Sequence, residues 1–305
     1  MASAPGTPST ATESNALPEW IRVRPPRGAV YPEVKGLLGE LRLETVCREA
    51  RCPNLPECWS NGAATIMLLG SECTRHCTFC AVTTRWPRGV VDRTEPERVA
   101  EAVHRWGLRY VVFTQVCRDD LEDGGASLLA ETVRQIRSRS PSTLVELLIG
   151  DLGGRDEPLR TVLESPPDVL SHNLETVRSL SPEVRDHRAG YDRSLSVLKS
   201  ARRLGSEGLV TKSSLMLGLG ETASELEGAF RDLRSADVDL LTLGQYLRPD
   251  LDHRPVHRYV PPEEFSRWHE VARSLGFLGV ASGPLVRSSY RAEELYRDAR
   301  AVRGG

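Results

Sequence analysis

From Thr65 onward the chain alternates strand-length apolar runs with longer segments of helical periodicity, and no other feature restricts its fold so tightly. The runs are Thr65–Leu69, Tyr110–Thr114, Leu144–Ile149, Asp168–Ser171 running on toward Glu175, Val210–Leu217 and Leu240–Tyr246. Helical stretches fall between them at Glu95–Trp106, Gly125–Ser138, Asp192–Leu204 and Thr222–Ser235. Strands joined by crossovers of this length are parallel. Six such units predict an α/β fold, a partial (β/α)6 barrel of the TIM type with N- and C-terminal extensions. A last helix, Pro262–Leu275, precedes Gly283–Tyr290, and Arg291–Gly305 reads as a terminal helix or tail. We expect a flexible tail over 1–18, an extension over 19–64, the barrel over 65–280 and a C-terminal extension over 281–305.

Charge and hydropathy narrow the function. Basic residues number 40 against 42 acidic ones, so no general excess of positive charge marks a nucleic-acid or anionic-membrane binder. No apolar run approaches the roughly 18 residues of a membrane span. Residues 1–18 hold neither Arg nor Lys, which fits neither a secretion signal nor a transit peptide, and a cytoplasmic location is expected. Only three lysines occur, Lys35, Lys199 and Lys212, and the last stands out inside a predicted strand.

Six of the seven cysteines form two triplets. Cys73, Cys77 and Cys80 make C-x3-C-x2-C directly after the first predicted strand, the end where parallel α/β folds gather their active sites. Three thiolates on one loop can hold three irons of a [4Fe–4S] cluster and leave the fourth open to a substrate or cofactor. Phe79 stands where it can shield such a cluster or stack on an adenine. The alternatives are a disulfide framework, which a cytosolic chain of this size rarely keeps, and a zinc site with His76 as fourth ligand. The second triplet, Cys47, Cys52 and Cys58, has the spacing C-x4-C-x5-C and lies before the barrel; beside the first, a second cluster accounts for it better than zinc or chance.

The two triplets followed by Arg287-Ser288-Ser289-Tyr290 resemble the lipoyl synthase family. The segments RDDLEDGGA (118–126), SHNLET (171–176), LMLGLGE (215–221), LTLGQYL (241–247) and SGPLVRSSY (282–290) extend the resemblance over about residues 40–291. It implies a barrel of the radical S-adenosylmethionine (SAM) kind. Cys73, Cys77 and Cys80 would then hold the [4Fe–4S] cluster that chelates SAM and delivers the electron cleaving it to methionine and a 5′-deoxyadenosyl radical. The second cluster, on Cys47, Cys52, Cys58 and Ser289, would donate sulfur, with the hard serine oxygen easier to release than a thiolate. The implied reaction adds sulfur at C6 and C8 of an octanoyl group on a carrier lysine. Implied partners are 2-oxoacid dehydrogenase E2 subunits, the glycine cleavage H protein, a ferredoxin or flavodoxin as electron donor, and an iron–sulfur cluster carrier.

Other residues stay open between two readings. Asn173 and Glu175 either face SAM or cap a helix, and Lys212 either faces SAM or reaches solvent at an edge. Gly218 and Gly220 either approach the cofactor or form a plain strand-to-helix turn. Arg118-Asp119-Asp120 is an active-site loop or a solvated one, and Arg287 steadies Ser289 or joins a surface ion pair. His172 is a functional or a satisfied core histidine. Cys117, where relatives usually carry Asp, is expected as an isolated thiol outside either ligand set. Gly150, where Pro is usual, and Ala81 and Ser214 are minor departures. A biotin-synthase-like enzyme would lack the upstream triplet and the RSSY, and a zinc-stabilised or electron-carrying scaffold would need no open iron.

Overall fold

A computed structural model describes residues 17–22 and 25–304; most of the expected N-terminal tail lies outside them. In chain order, α1 (Val30–Glu40), β1 (Glu44–Thr45), α2 (Val46–Glu49) and α3 (Leu55–Ser60) precede the sheet proper. Then come β2 (Thr65–Leu68), a small pair β3 (Glu72–Cys73) and β4 (Thr83–Thr84), α4 (Glu95–Trp106), β5 (Tyr110–Gln115), α5 (Ala126–Arg139) and β6 (Leu144–Leu148). The rest are α6 (Asp156–Leu163), β7 (Val169–Ser171), α7 (Ser181–Val184), α8 (Tyr191–Leu204), β8 (Val210–Leu217), α9 (Ala223–Ser235), β9 (Leu240–Gln245), α10 (Pro262–Ser274), β10 (Gly279–Gly283) and α11 (Ala292–Gly304).

The sheet runs β1-β2-β5-β6-β7-β8-β9-β10, parallel throughout except for β1. It is an open, partial barrel, as expected, but β10 adds a seventh parallel strand. That strand reads Gly-Val-Ala-Ser-Gly, a composition with little strand preference, and it forms because β9 offers a free edge. The helix α6 was also unforeseen between the third and fourth strands.

Local chemistry sets the boundaries. Helix α4 starts with Glu95, Pro96 and Glu97, favourable at a helix N-terminus, and stops at Gly107 in the left-handed region. Thr222 and Glu225 close a capping box at the start of α9. Along β8 the side chains alternate: Leu215 and Leu217 pack outward into the helix-lined core with Phe230, whereas Lys212, Ser214 and Met216 face the barrel axis. The outer layer is apolar and the inner one is unusually polar. At the N-terminal ends of the strands, Val169, Val210 and Leu240 pack against Leu295 and Ala299 of α11, which covers the barrel floor.

Candidate active site

The C-terminal ends of the strands carry both cysteine triplets. All seven cysteines are free thiols, so no disulfide framework exists. The loop of Cys73, Cys77 and Cys80 is tied to the loops after four strands. Thr74 N–H donates to Cys117 O at 3.0 Å, His76 N–H to the Asp186 carboxylate at 2.8 Å, Thr78 N–H to Val184 O at 3.0 Å, and Arg254 N–H to Thr78 O at 2.9 Å. The guanidinium of Arg75 holds Asp119 and Asp151, both Nη–Oδ contacts to Asp151 being 2.7 Å.

Two backbone donors already point at sulfur: Arg75 N–H at Cys73 Sγ and Asp186 N–H at Cys77 Sγ, each at 3.4 Å. Burial pushes the Cys77 thiol up to about 11 and the Cys80 thiol up to about 12, and each feels the neighbouring thiols of its own triplet. A bare thiolate is costly there, and a bound metal is what makes one stable. Cys73 is lowered to about 6, chiefly by a hydrogen bond from the Cys117 thiol. Cys117 is therefore not isolated, as expected from its spacing, but lies against Cys73. Among the described residues no three His, Cys, Asp or Glu converge on a single ion. A cubane asks for a different arrangement, one thiolate on each of three irons. The imidazole of His76, the alternative zinc ligand, meets Thr84 Oγ1 at 3.2 Å.

In the second triplet Cys47 sits on α2, Cys58 on α3 and Cys52 between them, and the segment is docked on the loops beyond β9 and β10. Arg51 pairs with Asp250 at 2.9 Å, Asn54 Nδ2 donates to Leu285 O at 2.5 Å, and Tyr290 Oη donates to Glu57 at 3.2 Å. Burial raises the Cys47 thiol and pushes Cys58 up to about 12, and Cys58 feels both Cys47 and Cys52. Arg287 is half-buried; desolvation depresses its pKa against the opposing pull of Cys52, and it donates to Val286 O at 2.7 Å. Among the described residues it forms no ion pair. Ser289 thus lies between Arg287, which faces Cys52, and Tyr290, which bonds Glu57 of α3. The approach depends on Gly244 of β9, where a Cβ would come within 2.1 Å of Val286 O.

A model of the radical SAM superfamily matches residues 67–233, and a model of the N-terminal domain of lipoyl synthase matches residues 7–52. A lipoyl synthase of Thermus thermophilus is 55% identical over 282 residues, 92% of this chain and 87% of that one. One of Pyrobaculum arsenaticum is 54% identical over 291 residues, 95% of this chain and 98% of that one. The chain belongs to the lipoyl synthase family. Among solved structures, the FeFe-hydrogenase maturase HydG from Carboxydothermus hydrogenoformans shares the fold at a TM-score of 0.58 and 14% identity, covering 88% of this chain and 69% of that one.

Within this family fold, the remaining expected residues divide. Asn173 and Glu175 lie at the mouth: Asn173 Nδ2 donates to Glu175 at 3.0 Å, and the Glu175 charge is felt by Cys77 and Cys80. Burial raises the Glu175 carboxyl, and its backbone is left-handed at φ +70°, strain of the kind kept at functional sites. Phe79 packs beside Leu219, Val184 and Tyr246, between the GLGE turn and the end of β9. Among the described residues, the buried Asn173 Oδ1, Ser171 Oγ and Thr242 Oγ1 have no partner, so the chamber presents unsatisfied acceptors and donors to an occupant. The donor set and these open polar atoms fit an iron–sulfur centre with a polar cofactor above it.

One expectation needs correction. Lys212 does not face the mouth or solvent: it is fully buried low in the barrel, with Nζ 2.7 Å from Glu146, which also accepts from Tyr110 Oη at 2.6 Å. Its place as the third residue of β8, with paired Glu146 the third of β6, puts it near the floor. The glycines of GLGE shape a strand-to-helix turn beside Phe79: the amides of Gly218, Leu219 and Gly220 all donate to Glu221, and a Cβ on Gly218 would strike Gln245 Nε2 and Arg258 O at 2.3 and 2.4 Å. His172 is a core histidine, bonded to Ile149 O and Ser194 Oγ, with burial lowering it to about 4. Arg118 and Asp120 form a buried pair, while Asp119 turns to Arg75. Arg75, Asp151, Asp186 and Arg188 were missed as site residues, and only the position of Arg75 between two motif cysteines hinted at any of them.

Proposed function

We propose that the chain completes the lipoyl cofactor in place, as a sulfurtransferase that inserts two sulfur atoms at C6 and C8 of a protein-bound octanoyl group, using SAM and two [4Fe–4S] clusters. The observation that carries this reading is the pairing of two thiol triplets at one barrel mouth, the second backed by the segment holding Ser289. Residues 65–280 act as the catalytic barrel, 19–64 carry the second thiol set, and 281–305 supply Ser289.

Cys73, Cys77 and Cys80 are the ligands we assign to the first cluster, and Cys47, Cys52, Cys58 and Ser289 those of the auxiliary one. When bound, the first supplies an electron to SAM and the second supplies sulfur. The chain's own work is to hold and exclude. Burial raises the Cys47, Cys58, Cys77 and Cys80 thiols, so they give up their protons as metal enters and loading releases protons, whereas Cys73 is already lowered beside Cys117. Asn173 offers its free Oδ1 as an acceptor, and Glu175 adds charge at the same spot, which suits the cationic amino group of SAM. Phe79 walls the adenine side, and the GLGE turn fixes the backbone beside it. Lys212 has no part in cofactor contact.

Proposed partners are octanoylated E2 subunits and H protein, a ferredoxin or flavodoxin, and a cluster carrier. Seven unpaired cysteines suit a reducing cytoplasm. No helix of the described residues is long and apolar enough to cross a membrane.

The test is an anaerobic assay with an octanoylated peptide, SAM and a reductant, read by mass spectrometry. Addition of two sulfurs is expected; an unmodified peptide, from protein carrying both clusters, refutes the assignment.

A further inference from the structure

We propose that Arg75, clamped between Asp119 and Asp151, is a positioning residue that pre-sets the first thiol loop for its cluster. The inference rests on the reading of Cys73, Cys77 and Cys80 as cluster ligands.

Arg75 lies between the first two cysteines of the loop, and its side chain is 4% exposed. Its guanidinium makes two forks. One takes both oxygens of Asp151 at 2.7 Å. The other takes Asp119, with Nη2 at 2.7 Å from Oδ1 and Nε at 3.0 Å from Oδ2. Asp119 follows β5 and Asp151 follows β6, so a single planar group fixes the loop against two neighbouring strands. Only a guanidinium has the donor geometry for both forks. Burial opposes its charge, but the two carboxylates outweigh that and hold it firmly protonated; both carboxyls are lowered in return.

The residues on either side are held by a second basic group. Arg188 Nη2 donates to Thr74 O at 2.6 Å and Nε to Asp186 at 2.9 Å, while Asp186 accepts from His76 N–H at 2.8 Å. Thr84 Oγ1 donates to Arg75 O at 3.2 Å. Residues 74, 75 and 76 are therefore each anchored by the protein itself, before any metal contributes. A free loop would have to be ordered by the incoming cluster, at a cost in backbone entropy for each residue fixed. Pre-setting removes that cost and fixes which way the three sulfurs face.

The test uses the full chain, reconstituted anaerobically, in wild-type form and as Arg75→Gln, Arg75→Lys and Asp119→Asn. Iron and sulfide are counted, and the electron paramagnetic resonance spectrum of the reduced protein is recorded with and without SAM. For Arg75→Gln we expect about half the wild-type iron and sulfide, with loss of the SAM-dependent spectral change. Arg75→Lys keeps the charge but not the forks, so it should regain part of the iron with an altered line shape and a shifted midpoint potential. Full iron with an unchanged SAM-dependent spectrum in Arg75→Gln overturns the proposal, as does complete restoration by lysine, which would make charge alone sufficient. Should Arg75→Gln fail to fold, Asp119→Asn decides: an unchanged line shape and potential there overturns the clamp equally. None of these readouts needs an octanoyl substrate, so a wild-type protein with both clusters but no sulfur insertion would sink the functional reading and leave the clamp standing.

Discussion

The two thiol triplets face the same mouth but are built differently. The loop of Cys73, Cys77 and Cys80 is a turn between strands, pinned by ion pairs of Arg75 to Asp119 and Asp151 and by backbone bonds to the segments after β5, β7 and β9. The segment carrying Cys47, Cys52 and Cys58 follows β1, which is laddered to β2, and buries Cys47 and Trp59 in the core beside that strand; toward the loops beyond β9 and β10 it is held only by an exposed ion pair and two side-chain hydrogen bonds. A centre that must return unchanged after each turnover benefits from an over-determined cradle. One that gives up its sulfur must let an iron go, and the lighter hold on the side of Ser289 permits it.

Experiments that remove one side at a time should expose this difference. The largest effect is expected for Cys77→Ala, which should abolish both 5′-deoxyadenosine formation and lipoyl product; undiminished 5′-deoxyadenosine by chromatography would break the comparison outright. Cys52→Ala should separate the two functions, leaving SAM cleavage intact while product falls below detection by mass spectrometry. A normal lipoyl yield from that variant would remove the donor role. For Ser289→Ala, the expected change is a different Mössbauer spectrum for the auxiliary cluster with product lost, and an unaltered spectrum with full activity would put the fourth ligand elsewhere.

Smaller effects sharpen the contrast in mounting. Asn54→Ala strips Leu285 O of its donor and should cost about 1–3 kcal/mol in denaturant unfolding. Arg51→Ala breaks an exposed pair and should cost less than about 1 kcal/mol. A loss from Arg51→Ala as large as that from Asn54→Ala would mean that the second mount is stiffer than its contacts imply.

How far the sequence reveals this depends on the range of each interaction. Strands β2 and β5 to β9 were legible because short runs rich in aliphatic and β-branched residues alternate with helical periods, even where, as in β8, the inward positions are polar, and α4 because its end signals are local. The strand β10 was not, since Gly279, Ala281, Ser282 and Gly283 carry no such run and take their conformation from a neighbour. At the site, thiol spacing was legible because one loop must supply several ligands. What the acids do was hidden: Asp119 belongs to a run already singled out as a candidate loop, but it and Asp151 stand 44 and 76 residues from Arg75, and nothing near them in sequence announces the meeting. Lys212 was noticed as an oddity and then misplaced, because the depth of a residue in a barrel depends on where its strand begins relative to the others. Its partner Glu146, two strands away, decides that.

Helix α11 adds a constraint on traffic. With Leu295 and Ala299 packed under Val169, Val210 and Leu240, and Tyr296 set against Tyr110, the strands are covered from below. A ligand bound among the inward-facing polar residues is therefore approached from the C-terminal ends of the strands, the side on which both thiol sets lie.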